Sequence, residues 1–171
     1  EMTHADGGFF STQDADSEGE EGKFFVWTER EIVELLGADD ARLFTYCYDV
    51  TSDGNWEGLT ILNRPKPHAE ASRVLGRNES ELAAVLERCR RTLFDVRSRR
   101  IAPGRDDKIL TSWNGMMISA MAQAGQVLDE PRFANAARAA ADFVLSQMRT
   151  PHGELWHSFQ NGQARFAAYL D

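Results

Sequence analysis

The chain has 171 residues, 42% hydrophobic and 27% charged, the composition of an ordinary globular domain or of a large piece of one. Lys plus Arg is 19 against 27 Asp plus Glu, and the resulting charge of -8 argues against sequence-independent binding of nucleic acid, which needs a basic surface. No apolar run approaches the roughly 20 residues that span a bilayer and no charged-then-apolar leader is present, so no membrane partner and a cytoplasmic location are expected.

Residues 1–22 are rich in Gly, Asp, Glu and Ser, interrupted by Gly8-Phe9-Phe10-Ser11, a pattern that predicts a long loop or a short strand. Phe24 to Trp27 is a short β-prone run. Thr28 then opens a helix with Glu31 as capping-box partner; Ile32, Leu35 and Leu36 form its apolar face, and Gly37 stops it. A second helix is expected over 40–48, with Leu43, Phe44 and Cys47 inward, and residues 49–67 read as a loop broken by Pro65 and Pro67. Cys47 and Cys89 lack metal spacing and are read as buried thiols, with a disulfide between them as the alternative.

Asn78, with Glu81 in the capping position, starts a helix that runs to about Arg100. Leu82, Val85, Leu86, Cys89, Leu93 and Val96 recur along one face, while Arg88, Arg91, Arg97 and Arg99 form a solvated one. Ile101 to Asp107 is a Pro-Gly linker. The helix from about Ser112 to Leu128 is apolar all round (Trp113, Met116, Met117, Ile118, Met121, Val127), which predicts enclosure by other elements. Pro131 opens the next helix, whose stripe is Phe133, Ala137, Ala140, Val144 and Met148. An enclosed helix followed by a half-exposed one is the alternation of a barrel of helical hairpins. Gly153 to Phe159 alternates like a strand, and Asn161-Gly162 supplies a hairpin turn.

Candidate chemistry concentrates in two segments. Asp106-Asp107-Lys108-Ile109-Leu110-Thr111-Ser112-Trp113-Asn114-Gly115 brings two carboxylates, an ammonium, an indole and an amide to a helix start. A sugar suits this set: Trp stacks on its apolar face, while Asp, Asn and Lys bond its hydroxyls. The structural alternative is that Asp107 or Ser112 caps the helix, Lys108 pairs with an acid and Trp113 is core. In the other segment Asp14, Asp16 and Glu18 are bracketed by Phe9, Phe10, Phe24, Phe25 and Trp27, flanking that raises a carboxyl pKa if it forms a cleft; an acidic surface loop or cap network is the alternative. A calcium loop fails there, because its twelfth position is Phe25 instead of Glu. His4, His68, His152 and His157 have no ligand spacing, and no metal or cofactor is expected. His157 is either an exposed strand residue or a proton shuttle.

Gly7-Gly8-Phe9-Phe10-Ser11, Asp14-Ala15-Asp16-Ser17-Glu18, Glu21-Gly22-Lys23-Phe24-Phe25-Val26-Trp27-Thr28, Gly54-Asn55-Trp56-Glu57-Gly58 and the run from Asp106 to Gly115 resemble, in this order, the central part of the bacterial YyaL-type family. Its animal relatives are called spermatogenesis-associated thioredoxin-like proteins. The resemblance covers nearly the whole chain. It implies a thioredoxin-like domain ahead of this stretch, then a six-hairpin toroid similar to N-acylglucosamine 2-epimerases and six-hairpin glycosidases. The implied fold is mainly α: residues 1–171 form part of an (α/α)6 toroid with short β-hairpins at one end. Leu170-Asp171 matches the start of the family's Leu-Asp-Asp-Tyr-Ala run, and with Glu1 it reads as a chain excised from a longer polypeptide. The histidines of the epimerases have no counterparts here.

The expected function is carbohydrate processing, hydrolase or epimerase-like, with Asp14, Asp16, Asp106 and Asp107 as catalytic candidates and Trp27, Lys108, Trp113 and Asn114 as substrate-binding candidates. The alternative is a non-catalytic binding or scaffold module partnering the thioredoxin-like domain. A small sugar is the expected ligand, and exposed toroid faces predict self-association.

Overall fold

A computed structural model describes residues 2–169. In chain order its elements are β1 (Thr12–Gln13), β2 (Asp16–Ser17), β3 (Glu20–Glu21), α1 (Glu29–Leu36), α2 (Ala38–Tyr48), α3 (His68–Leu75), α4 (Glu79–Arg97), β4 (Arg105–Asp106), β5 (Ile109–Leu110), α5 (Thr111–Val127), α6 (Pro131–Gln147), β6 (Trp156–Gln160) and β7 (Gln163–Ala167). The architecture is thus mainly α with small antiparallel sheets. The terminal Leu170-Asp171 match lies outside the described residues. The contacts resolve two compact units: Ala15–Pro103, and a second made from the chain up to Asp14 together with Gly104 onward.

In the 15–103 unit the predicted helix starts form. Thr28 accepts from the Glu31 backbone at 3.1 Å, and the Glu31 carboxylate accepts from the Thr28 backbone at 2.8 Å. Asn78 caps α4 by accepting from the backbones of Ser80 and Glu81. Ile32, Leu43, Phe44, Cys47, Leu82, Leu86, Cys89 and Leu93 close one core, and both thiols are free and buried within it. Four expectations need correction. Phe24 and Phe25 lie in a turn, and Trp27 forms only a lone bridge to Thr60, because the carbonyls of Phe24 and Val26 are taken by Arg100. The long helix stops at Arg97, where Ser98 turns its hydroxyl back onto the Phe94 carbonyl. Leu35, expected on the apolar face of α1, is exposed because that helix buries only Ile32 fully, and a further helix, α3, follows Pro67 and ends on Gly76 in the left-handed region (φ 62°).

In the other unit α5 and α6 form an antiparallel hairpin, and Ile109, Phe143, Val144, Met148 and Phe159 form the core. The three-stranded sheet has order β5-β6-β7, with Asn161 and Gly162 both at positive φ in the tight turn between β6 and β7. The stretch 101–107 expected as a linker contains β4, and β5 follows shortly after it. The expected enclosure of α5 is also corrected. Its one fully buried residue is Asn114, whereas Trp113 is 49%, Met116 65% and Val127 82% exposed. Its apolar circumference is left largely uncovered by α6 and the sheet.

Candidate functional site

Within the second unit the two motif-bearing segments are zipped together. β1 pairs with β4 in the register Thr12–Asp106 and Gln13–Arg105, and the Asp14 N–H donates to the Gly104 carbonyl at 2.7 Å. The Ser11 N–H donates to the Lys108 carbonyl at 2.8 Å, and the Ser11 hydroxyl to the Asp106 carbonyl at 3.2 Å. This register makes Asp14 and Asp106 diagonal neighbours on one side of the ladder, a relation with a typical separation of about 7–8 Å.

The side chains at the helix start divide into distinct roles. Half-buried Asp106 accepts from Lys108 twice, from Nζ at 2.8 Å and from the backbone N–H at 3.2 Å. The Lys108 hydrogen bonds hold its carboxyl below the ordinary carboxylate range. Exposed Asp107 pairs with Arg105 Nε at 2.5 Å, and the Arg105 guanidinium lies 4.0 Å from the Phe10 ring centre. Asn114 receives a different task from the one expected of it. At 1% exposure its Oδ1 accepts from the Phe9 N–H at 2.8 Å, and its Nδ2 donates to the carbonyls of Phe9 at 3.0 Å and Leu110 at 2.9 Å. The amide is consumed in stapling the N-terminal segment at Phe9 to α5.

Beside the first turns of α5 lies a hollow of about 380 Å³, lined among others by Ser112, Met116, Ser119, His157 and Tyr169. His157 stacks on Tyr169 with ring centres 5.0 Å apart. Sequence reasoning reached His157 but not Tyr169 or Ser119, whose roles depend on the hairpin folding back over the helix.

The remaining two candidates belong to the 15–103 unit. Asp16 is exposed in β2, opposite Glu21. Trp27 is 2% exposed, with the Arg100 guanidinium 4.0 Å from its ring centre. The Arg100 Nη1 donates to the carbonyls of Val26 at 2.8 Å and Phe24 at 3.1 Å, so Trp27 and Arg100 together organise the turn. Among the described residues no group of His, Cys, Asp and Glu side chains is placed to hold a metal ion, and no helix is long and apolar enough to cross a membrane.

No family model matches the chain. Individual relatives do. It is 31% identical over 175 residues to human spermatogenesis-associated protein 20, an alignment covering 86% of this chain and 22% of the human protein. An uncharacterized protein of Caenorhabditis elegans is 29% identical over 189 residues, covering 94% of this chain and 25% of the relative. Over most of its length the chain is thus similar to one segment of the spermatogenesis-associated protein 20 sequences, consistent with the family its motifs resemble. It spans roughly a fifth to a quarter of the length of these relatives. The rat member is 28% identical, again over 86% of this chain. In this chain the Gly7-Gly8-Phe9 run has a visible structural purpose. A Cβ on Gly7 would stand 2.6 Å from the Ala139 carbonyl oxygen, and one on Gly8 would stand 2.8 Å from Phe143, so this N-terminal segment is fitted against α6 while Asn114 holds Phe9 from α5.

Proposed function

We propose that this chain forms one sector of an (α/α) six-hairpin toroid and presents a sugar-binding surface at the start of α5, contributing to ligand binding and not to acid catalysis. The observation that carries this reading is the state of Asp106. A carboxylate kept ionised by Lys108 accepts hydrogen bonds from sugar hydroxyls but has no proton to give a leaving group. Trp113, half-exposed in the first turn of α5, offers an indole face, and Ser112, Ser119 and His157 offer polar partners in the hollow beside the same helix. Toroid membership is supported by α5 itself, since its uncovered apolar surface suits an inner helix flanked by further hairpins. In the full-length protein such a sector serves the thioredoxin-like domain that the family resemblance implies.

The test is a thermal-shift screen of the full-length protein against mono- and disaccharides. One sugar class is expected to raise Tm, and Trp113→Ala to abolish the shift. If no sugar moves Tm, the reading fails.

A second reading, hydrolase or epimerase-like, is favoured by the diagonal placement of Asp14 and Asp106 on one side of the β1–β4 ladder, which puts two carboxylate residues at the same edge. Asp14 then acts as the acid and Asp106 as base or nucleophile. Release of p-nitrophenol from a panel of aryl glycosides, lost in both Asp14→Asn and Asp106→Asn, supports this reading. Sugar binding without turnover supports the first.

A further inference from the structure

The C-terminal half of α4 borders a groove of about 490 Å³ within the 15–103 unit, a size within the roughly 300–1,000 Å³ of small-ligand pockets. Its walls are mainly apolar and aromatic, with Trp27, Tyr48, Leu93 and Phe94 among the lining residues. Its charged residues are unevenly matched. Arg90 and Arg91 share Glu87, which both guanidiniums hold below the ordinary carboxylate range. Arg97 makes no ion pair among the described residues. Its guanidinium lies instead over the rings of Phe24, Phe25 and Phe94, at 5.5, 5.7 and 5.6 Å from their centres. Three rings restrict the motion of this planar cation and offer no acceptor for its N–H groups. The lining carries Arg90, Arg91 and Arg97 against Glu87 and Asp95, a surplus of one positive charge in a chain whose net charge is -8.

We propose that this groove binds a small organic monocarboxylate with a flat apolar body, its carboxylate bonded by Arg97 and its body laid against Leu93, Phe94 and Trp27. Charge and volume select this occupant. One surplus cation matches a monoanion, whereas a polyanion meets Glu87 and Asp95. A neutral apolar body leaves the guanidinium donors of Arg97 unused, and these are the groups that form charge-assisted bonds to a carboxylate. The site shares no residue with the proposed sugar surface, so either stands without the other.

The experiment titrates the full-length protein with 4-phenylbutyrate and with its neutral counterpart 4-phenylbutanamide, by calorimetry and saturation-transfer NMR. The acid is expected to bind about tenfold more tightly than the amide, the scale of one charge-assisted contact. Arg97→Gln is expected to erase that preference, Phe94→Ala to weaken both ligands, and Arg138→Gln on exposed α6 surface to change nothing. Arg97→Lys retains the charge without the planar fork and is expected to fall between wild type and Arg97→Gln. Equal affinity for acid and amide, no binding of either, or a preference that survives Arg97→Gln overturns the proposal. If a second copy or another protein segment covers the groove, wild-type protein gives no phenylbutyrate signal while Phe94→Asp alters the sedimentation coefficient, which overturns it equally. Should Arg97→Gln fail to fold, the acid–amide comparison on wild-type protein and Arg97→Lys decide the matter.

Discussion

Asn114 makes the clearest case at the scale of single residues. Its three hydrogen bonds run to backbone groups of Phe9 and Leu110, and its side chain is inaccessible to solvent. Asn114→Ala strands one N–H and two carbonyls. The expected loss is about 2–4 kcal/mol, since each stranded buried group costs on the order of 1–3 kcal/mol and partial hydration returns some of it. Urea denaturation measures it, and a loss below about 0.5 kcal/mol would show that the staple is dispensable. The sequence marked Asn114 as unusual beside Trp113 but not which partners it has, because Phe9 lies far away in the chain. That Lys108 pairs with a neighbouring acid was legible, but not that the partner is Asp106 instead of the adjacent Asp107, which goes to Arg105. Arg100 was not legible, since nothing in an arginine-rich helix end distinguishes the guanidinium that turns inward.

Cys89 allows a prediction with a defined sign. Burial pushes its thiol up to about 11 from an unfolded value near 9. The folded state therefore keeps the proton that the unfolded state has lost, and stability falls as pH rises from about 9 to 11. Cys47 is raised in the same direction by burial. Comparing urea midpoints at pH 8 and pH 10.5 is expected to show a steeper decline in wild type than in Cys89→Ala; parallel declines would remove Cys89 as the cause.

At the scale of elements, pattern and structure agree where the signal is local. The Thr28–Glu31 capping box, the Asn78 cap, Pro131 in the first turn of α6 and the Asn161-Gly162 turn each depend on residues within a few positions of one another. The pairing of β1 with β4 joins segments more than 90 residues apart, and no periodicity in two-residue strands announces it. The glycine pair ahead of β1 tests how tightly the N-terminal segment is fitted against α6. Gly7 has φ +109°, and a Cβ there meets the Ala139 carbonyl oxygen at 2.6 Å; Gly19 has φ +78° with nothing within 4 Å. Gly19→Ala therefore incurs backbone strain alone, about 1–3 kcal/mol, while Gly7→Ala adds a backbone clash. Thermal melts are expected to rank Gly7→Ala well below Gly19→Ala, and equal Tm values would mean that α6 yields to the segment.

At the scale of the whole molecule, the two cores differ in how fully their helices are covered. In the 15–103 unit α1, α2 and α4 each bury one face in a shared core, although Val33, Leu35 and Phe94 remain exposed. In the other unit α5 exposes Trp113, Met116, Met117 and Val127, and Leu128 at its end is exposed as well, too many large apolar side chains for a surface that faces water permanently. The all-round apolar pattern of this helix was legible in the sequence; what covers it was not, because periodicity reports a need for burial and not the partner. The 171-residue chain studied alone is therefore expected to self-associate and to bind a hydrophobic dye, and Met116→Lys with Val127→Lys to reduce both. In the full-length protein, of which relatives suggest this chain to be roughly a fifth to a quarter, the same two positions are expected to be protected from methionine oxidation at Met116 and from dye binding. Light scattering of the isolated chain reads the first expectation, and peptide mapping after mild peroxide treatment reads the second. A monodisperse, dye-silent chain together with rapid Met116 oxidation in the full-length protein would mean that α5 tolerates water on its apolar side, and the toroid reading would lose the helix on which it rests.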